Sequence, residues 1–220
     1  MDKNKTFWAF SEPHEKAVDL YIYSDVTDRS ADGAVSANEF KDALANAGDV
    51  DRINIYINSN GGDVKEGISI YSQLIRHQAR KIVYIDGFAC SIASVIAMAG
   101  DVVHISNCSS VIIHNAMSLA YGNAEQMRHE ADMLDVITEN IKNAYLDKAD
   151  GKITHEKITE LMDKESVLSP EDCLQYGLVD VIDKKTSNPD GAGIQDQMPK
   201  NMPEQVANMV CNRMFDFLSM

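Results

Sequence analysis

Arg52-Ile53-Asn54-Ile55-Tyr56-Ile57-Asn58-Ser59-Asn60-Gly61-Gly62-Asp63 alternates polar and apolar residues through Asn58 and then meets a pair of glycines. Period-two alternation puts Ile53, Ile55 and Ile57 on one face of a β-strand, and Asn60-Gly61-Gly62 supplies the tight turn that ends it. Val64, Ile68, Tyr71 and Ile75 then recur at helical spacing, so the strand feeds a helix, in which Gly67 permits a close backbone approach. Strand, turn and helix in this order make the repeating unit of α/β folds.

The same alternation extends in both directions. Upstream, Leu20-Tyr21-Ile22-Tyr23 reads as a short strand, and Ser36-Ala37-Asn38-Glu39 as a capping box that opens a helix through Phe40 and Leu44. Downstream, residues 81–86 form a strand. The nearly apolar run 87–100, interrupted by serines and bounded by Asp86 and Asp101, reads as a buried helix, short of the roughly 20 residues that cross a bilayer. Residues 102–105 and 111–113 are two further strands. Asn123-Ala124-Glu125-Gln126 caps a long helix with a stripe of Met127, Ala131, Leu134, Ile137, Ile141 and Ala144, and Thr154 caps another that ends near Met162. Ser169-Pro170-Glu171-Asp172 combines a Ser cap, Pro at the first helical position and two carboxylates in the first turn. Gly177 closes that helix, and 178–182 is the last strand. The expected class is α/β with parallel pairing. Beyond Lys184, prolines 189, 199 and 203 among polar residues mark a linker over 184–203. Val206, Met209, Val210, Met214 and Phe217 then give a short amphipathic helix within 204–220, which leaves 1–183 as the single domain.

Composition narrows the function. A chain of 220 residues that is 45% hydrophobic has material for one sizeable core. Its 34 acidic against 20 basic residues give a net charge of −14, a field that repels phosphate backbones and excludes nucleic acid as the expected partner. Cys90, Cys108, Cys173 and Cys211 show no CxxC and no Cys/His ligand spacing, so neither a disulfide framework nor a metal is expected, and no cofactor. No apolar signal core follows Met1, and the expected setting is the cytoplasm, away from membranes.

Three segments carry chemistry. Ser91, in Gly87-Phe88-Ala89-Cys90-Ser91-Ile92-Ala93-Ser94, lies 29 positions after Gly62 and 23 before His114 of Val111-Ile112-Ile113-His114-Asn115. A serine hydroxyl attacks a carbonyl only with a base in reach and N–H donors aimed at the developing oxyanion. A serine opening a helix lies beside unpaired N–H groups and the positive end of the helix dipole. Taken one at a time, the same residues also read as a helix-packing serine, a plain turn and a hydrogen-bonded core histidine. The segment is Gly-x-x-x-Ser, and the Gly-x-Ser-x-Gly elbow of α/β hydrolases lends it no support.

Together these segments resemble the Clp protease proteolytic subunit (ClpP) family, and within it the ClpP-like head maturation proteases of tailed phages, over about 21–183. The resemblance implies the spiral of β-β-α units shared with crotonases. It makes Ser91, followed by small and apolar residues as far as Ala99-Gly100, the nucleophile, and His114 of Ile-His-Asn the base. It places the oxyanion hole at the N–H groups of Gly62 and Ile92. Counting back from Ser169-Pro170 puts Glu165 at the position of the family's aspartate, with Asp163 as the alternative third member. The chain departs from the family at Asn60, where proline is usual, and at Ser166-Val167, where phage relatives carry Thr-Trp. It departs again at Lys164 and Ser166, which flank Glu165 in place of a ring-pairing arginine.

The activity so implied is a serine endopeptidase with no ATPase of its own. It would act on polypeptides as a homo-oligomeric ring, a heptamer, in the bacterial host cytosol or a phage procapsid, with phage capsid or scaffold proteins as partners. A crotonase-fold acyl-CoA enzyme would share the paired N–H donors without a seryl intermediate, and a catalytically silent ClpP-like structural protein would lack Ser or His. The presence of both Ser91 and His114 weighs against each alternative.

Overall fold

The computed structural model describes residues 8–10, 16–28 and 34–184; the expected C-terminal helix, and the linker after Lys184, lie outside the described residues. The strands are β1 (Trp8–Phe10), β2 (Ala17–Ile22), β3 (Arg52–Ser59), β4 (Arg80–Cys90), β5 (Val102–Ser106), β6 (Ser110–Ile113), β7 (Ser166–Leu168) and β8 (Val181–Asp183). The helices are α1 (Ala37–Ala47), α2 (Val64–Arg76), α3 (Ile92–Ala97), α4 (Ala124–Ala149), α5 (His155–Asp163) and α6 (Pro170–Gln175). All strands join one sheet in the order β1-β2-β3-β4-β5-β8, with β6 paired to β4 and β7 paired to β6. Pairing is parallel except at β1–β2 and β6–β7, so the expected α/β class with parallel strands is what the chain forms.

The period-two pattern does its expected work. Leu20, Ile55, Val83 and Val103 lie in register across four strands, as do Ile22, Ile57, Ile85 and Ile105, and all of them are buried. On the opposite face Tyr21, Tyr56, Tyr84 and His104 form a ladder with ring centroids 4.8, 5.0 and 4.9 Å apart. Beside it the Tyr23 hydroxyl donates to Asp86, whose carboxyl is pushed up to about 6, chiefly by desolvation, against the opposing effect of the Tyr23 bond and with a smaller upward push from Asp183. A carboxyl raised above its unfolded value withdraws stability as pH climbs from about 4 to 6. Asp86→Asn is therefore expected to raise the melting temperature at pH 8 and to lose that advantage at pH 4. The gain should stay under about 1 kcal/mol, because Asp86 is only partly withdrawn from solvent and the Tyr23 bond offsets part of the desolvation; thermal scans at the two pH values check it.

β4 is the pivot of the sheet. Its pairing with β3 passes from Ile57↔Ile85 to Ser59↔Ala89, so four residues of β4 span two of β3. Asn58 fills this bulge, its Oδ1 accepting from Phe88 N at 3.1 Å, and a Cβ on Gly87 would come within 2.5 Å of the same oxygen. The bulge carries β4 off β5 and onto β6, where Phe88, Ala89 and Cys90 pair with Ser110, Val111 and Ile112. The expected helix over 87–100 is thereby corrected: only Ile92–Ala97 is helical, because an apolar partner strand captures the small residues ahead of Ser91.

Three other expectations shift. On α2 the buried face is Gly67, Ile70 and Leu74, whereas Ile75 is half exposed. On α4 burial begins at Thr138; Met127, Met133 and Val136 lie in the solvent-facing first half, so the helix extends beyond the core. The last strand is Val181–Asp183. Leu178 and Val179 are buried in the turn before it, and Asp180 accepts from Val103 N at 2.7 Å and from Lys148 Nζ at 2.6 Å. The capping boxes at Ser36 and Asn123 and the Ser169 cap form as their sequences predict. Among the described residues no helix is long and apolar enough to cross a membrane.

Candidate active site

Ser91 is the single residue between the end of β4 and the start of α3, and it turns the chain with φ 55° and ψ −130°, a conformation natural to glycine. A side chain held there costs on the order of 1–3 kcal/mol and persists only where neighbours over-determine it. Ser91 N donates to Ile112 O at 2.8 Å, and Ser91 O accepts from Ser94 N at 3.0 Å and from Ser94 Oγ at 2.6 Å. Ser94 Oγ in turn lies 2.7 Å from Tyr145 Oη, whose ionisation burial pushes far above the ordinary range, so this hydroxyl stays protonated. The Ser91 hydroxyl makes no capping bond to α3 and is not consumed as a helix cap. Its neighbour Cys90 has a thiol pushed up by burial, which keeps it in the poorly nucleophilic protonated form.

Two residues beside Ser91 keep backbone N–H groups that are not spent on the local structure. Ile92 is the first residue of α3, and its N–H has no acceptor within the helix. In the loop after β3, Gly61 N donates to Ser59 Oγ at 3.1 Å and Asp63 N to Val26 O at 2.6 Å, leaving the Gly62 N–H between them without an acceptor among the described residues. Gly62 has φ 141°, and a Cβ there would stand 2.1 Å from Val26 O. A Cβ on Gly61 would meet Ser91 Cβ at 2.8 Å, a measure of how closely the loop backs onto the serine. Gly67 of α2 lets Ile92 equally close, since its Cβ would fall 2.1 Å from Ile92 Cγ1.

His114 follows β6 directly. Its Nδ1 lies 2.7 Å from Asn115 O, a carbonyl that can only accept, so Nδ1 carries the proton and Nε2 is left as the basic nitrogen. Ser91, Ile92, Gly62, His114 and Asn115 line one cavity of about 90 Å³ together with Val64, Val95, Met117, Ile141 and Tyr145. A hydroxyl, an imidazole and unspent N–H donors on residues lining one small cavity are the components of acyl transfer through a seryl ester.

The carboxylates are arranged differently. Ile113 pairs with Ser166 as the last pair of the antiparallel β6–β7 ladder, so His114 and Glu165 both leave the ladder at the same end. Glu165 has φ 48° and an exposed side chain, and no bond joins its carboxylate to His114 among the described residues. Asp163 Oδ1 accepts from Asn115 Nδ2 at 2.8 Å instead. His104 and His77 lie elsewhere, one in the ladder bonded to Asp183, the other accepting from Ala79 N at the end of α2. Among the described residues no group of three His, Cys, Asp or Glu is placed to hold a metal ion.

Sequence reading missed the supports behind these residues. Ser94, Tyr145 and the Asn115 amide were legible only as a second serine, a buried aromatic needing a partner for its hydroxyl, and the neighbour of a histidine.

The family model for Clp protease matches residues 12–186. The chain is 31% identical over 170 residues to the ATP-dependent Clp protease proteolytic subunit 1 of Prochlorococcus marinus, covering 76% of this chain and 84% of that one. It is 32% identical over 143 residues to the ATP-dependent Clp protease proteolytic subunit of Deinococcus radiodurans, covering 63% of this chain and 69% of that one.

Proposed function

The chain belongs to the Clp protease family, a family of peptidases, and we propose that it is a serine endopeptidase with Ser91 as nucleophile and His114 as general base. The observation that carries this is the shared cavity, which Ser91, His114, Gly62 and Ile92 line together. In the proposed cycle Nε2 of His114 takes the Ser91 proton as Oγ attacks the peptide carbonyl. The tetrahedral oxyanion is held by the two N–H groups, the amine leaves with the proton from His114, and water then hydrolyses the seryl ester. Glu165 is the carboxylate assigned to the imidazolium, supported by its place next to Ser166, the residue paired with the neighbour of His114. Asp163 is the alternative, one residue removed through Asn115. The cycle uses no cofactor. The test is hydrolysis of a short unstructured peptide without nucleotide, with turnover in the wild type and none in Ser91→Ala.

Assembly into a homo-oligomeric ring, a heptamer, is part of this reading. Met117, Leu119, Tyr121, Met127, Met133 and Val136 are exposed large apolar residues on the 117–121 loop and the first half of α4, surface that neighbouring subunits would cover. Lys164 beside Glu165 is engaged with Glu160 of its own helix at 2.6 Å, and Ser166 on the other side brings no cation. Rings should therefore stack weakly, and light scattering at low micromolar concentration is expected to find single rings; a tightly paired double ring would contradict this. The finer setting assigned is phage or prophage head maturation, with capsid or scaffold precursors as substrates in the host cytosol or procapsid. Glu165 at the position of the family's aspartate supports it, while Ser166-Val167 departs from the Thr-Trp of phage relatives, and cleavage of a co-encoded scaffold protein by wild type but not by Ser91→Ala is its test.

A further inference from the structure

We infer that Asn115 and Asp163 are positioning residues that clamp the peptide plane holding His114 in its basic tautomer, a role that rests on the Ser91–His114 reading and adds residues to it. The peptide between Asn115 and Ala116 is held at both ends: its carbonyl oxygen takes the His114 Nδ1 proton at 2.7 Å, and its N–H donates to Thr138 Oγ1 of α4 at 3.1 Å. A third anchor comes from the Asn115 side chain, whose Nδ2 donates to Asp163 Oδ1 at the end of α5, 2.8 Å away. Two helices thus fix one peptide plane, and that plane fixes the ring.

The amide has only one workable orientation. Asn115 Oδ1 is buried and has no hydrogen-bond partner among the described residues, where the side chain is held through Nδ2. Turning the amide over would aim that oxygen at the Asp163 carboxylate, two acceptors face to face, which is repulsive. The carboxylate therefore selects the amide orientation, and the bond it makes ties down the residue whose backbone carbonyl takes the Nδ1 proton. In this role Asp163 acts as a hydrogen-bond acceptor for Asn115 and makes no direct contact with the imidazole. That separates it from a triad acid, which needs its charge next to the ring: an amide at position 163 still offers an oxygen to Nδ2, whereas a methyl group offers nothing.

The experiment uses the full chain with Asn115→Ala, Asp163→Ala, the two combined, and Asp163→Asn. Kinetics are followed on a short peptide, and the His114 ring nitrogens by ¹⁵N NMR in a Ser91→Ala background. Loss of one charge-assisted bond predicts that each alanine variant loses about tenfold in kcat with KM unchanged. The combined variant should be no worse than either alone, and Asp163→Asn should recover most of the rate that Asp163→Ala loses. The NMR should show Nδ1 protonated in the Ser91→Ala parent and a mixture of tautomers once either clamp residue is alanine. Wild-type kcat in both single variants, losses that multiply in the combined one, or Asp163→Asn as slow as Asp163→Ala would each overturn the clamp, the last by making Asp163 the triad acid. The tautomer measurement does not depend on hydrolysis: should the wild type cleave no peptide, the endopeptidase reading fails, and the clamp is still judged by whether alanine at 115 or 163 shifts the ring.

Discussion

Ser91→Ala is expected to lose peptide hydrolysis by roughly four orders of magnitude or more, and His114→Ala by a similar factor, with the double variant no slower than either single one. The residues act as a unit: without the hydroxyl there is no ester to form, and without the imidazole the hydroxyl keeps its proton at neutral pH. Folding should survive both changes. Ser91 is held through its backbone by Ile112 O and by Ser94, contacts that alanine retains, and His114 lies only half-buried after the last residue of β6. Circular dichroism and steady-state kinetics on the three variants check both halves. Ser91→Ala that turned over like the wild type would remove the serine from the mechanism.

Gly62→Ala carries the second large effect. The added methyl would stand 2.1 Å from Val26 O, at a backbone φ of 141° that an alanine rarely adopts. The loop must move, and the bonds from Val26 N to Gly61 O and from Asp63 N to Val26 O tie any movement of the loop to the segment that follows β2. Removing one oxyanion donor costs about 10² to 10³ in kcat. The variant should lose at least that factor in kcat, and should unfold at lower urea concentration because of the crowding. Wild-type kcat with only the urea midpoint shifted would show that the Gly62 N–H does not face the oxyanion.

Much of this was legible in the chain because the signals were local. The alternation at Ile53, Ile55 and Ile57 defines a strand whatever surrounds it, and the capping boxes at Ser36 and Asn123 are complete within four residues. What was misread depended on partners distant in sequence. Residues 87–90 look like the start of a buried helix until β6 pairs with them, and the bulge that redirects them rests on Asn58, thirty positions away. On α2 the helical period was right but the buried stripe was displaced, since glycine at 67 carries no hydrophobic signal although Ile92 packs against it. Ser91, His114, Gly61 and Gly62 could be named because they sit at the ends of strands, where sequence punctuation is strong. A third member was harder to name, because the candidate Glu165 lies on an exposed turn whose place relative to the imidazole depends on how β7 pairs with β6. The Asn115–Asp163 bond, 48 positions apart in sequence, had no local signature at all.

Active-site-directed labelling tests the central claim most directly. The full chain is treated with a fluorophosphonate, and the adduct is located by peptide mass spectrometry in the wild type, Ser91→Ala and His114→Ala. The account predicts one phosphonyl group on the wild type, carried by the peptide that contains Ser91, no adduct on Ser91→Ala, and strongly slowed labelling of His114→Ala. An unlabelled wild type under conditions that label a known serine hydrolase, or an adduct that persists at another residue in Ser91→Ala, would contradict it.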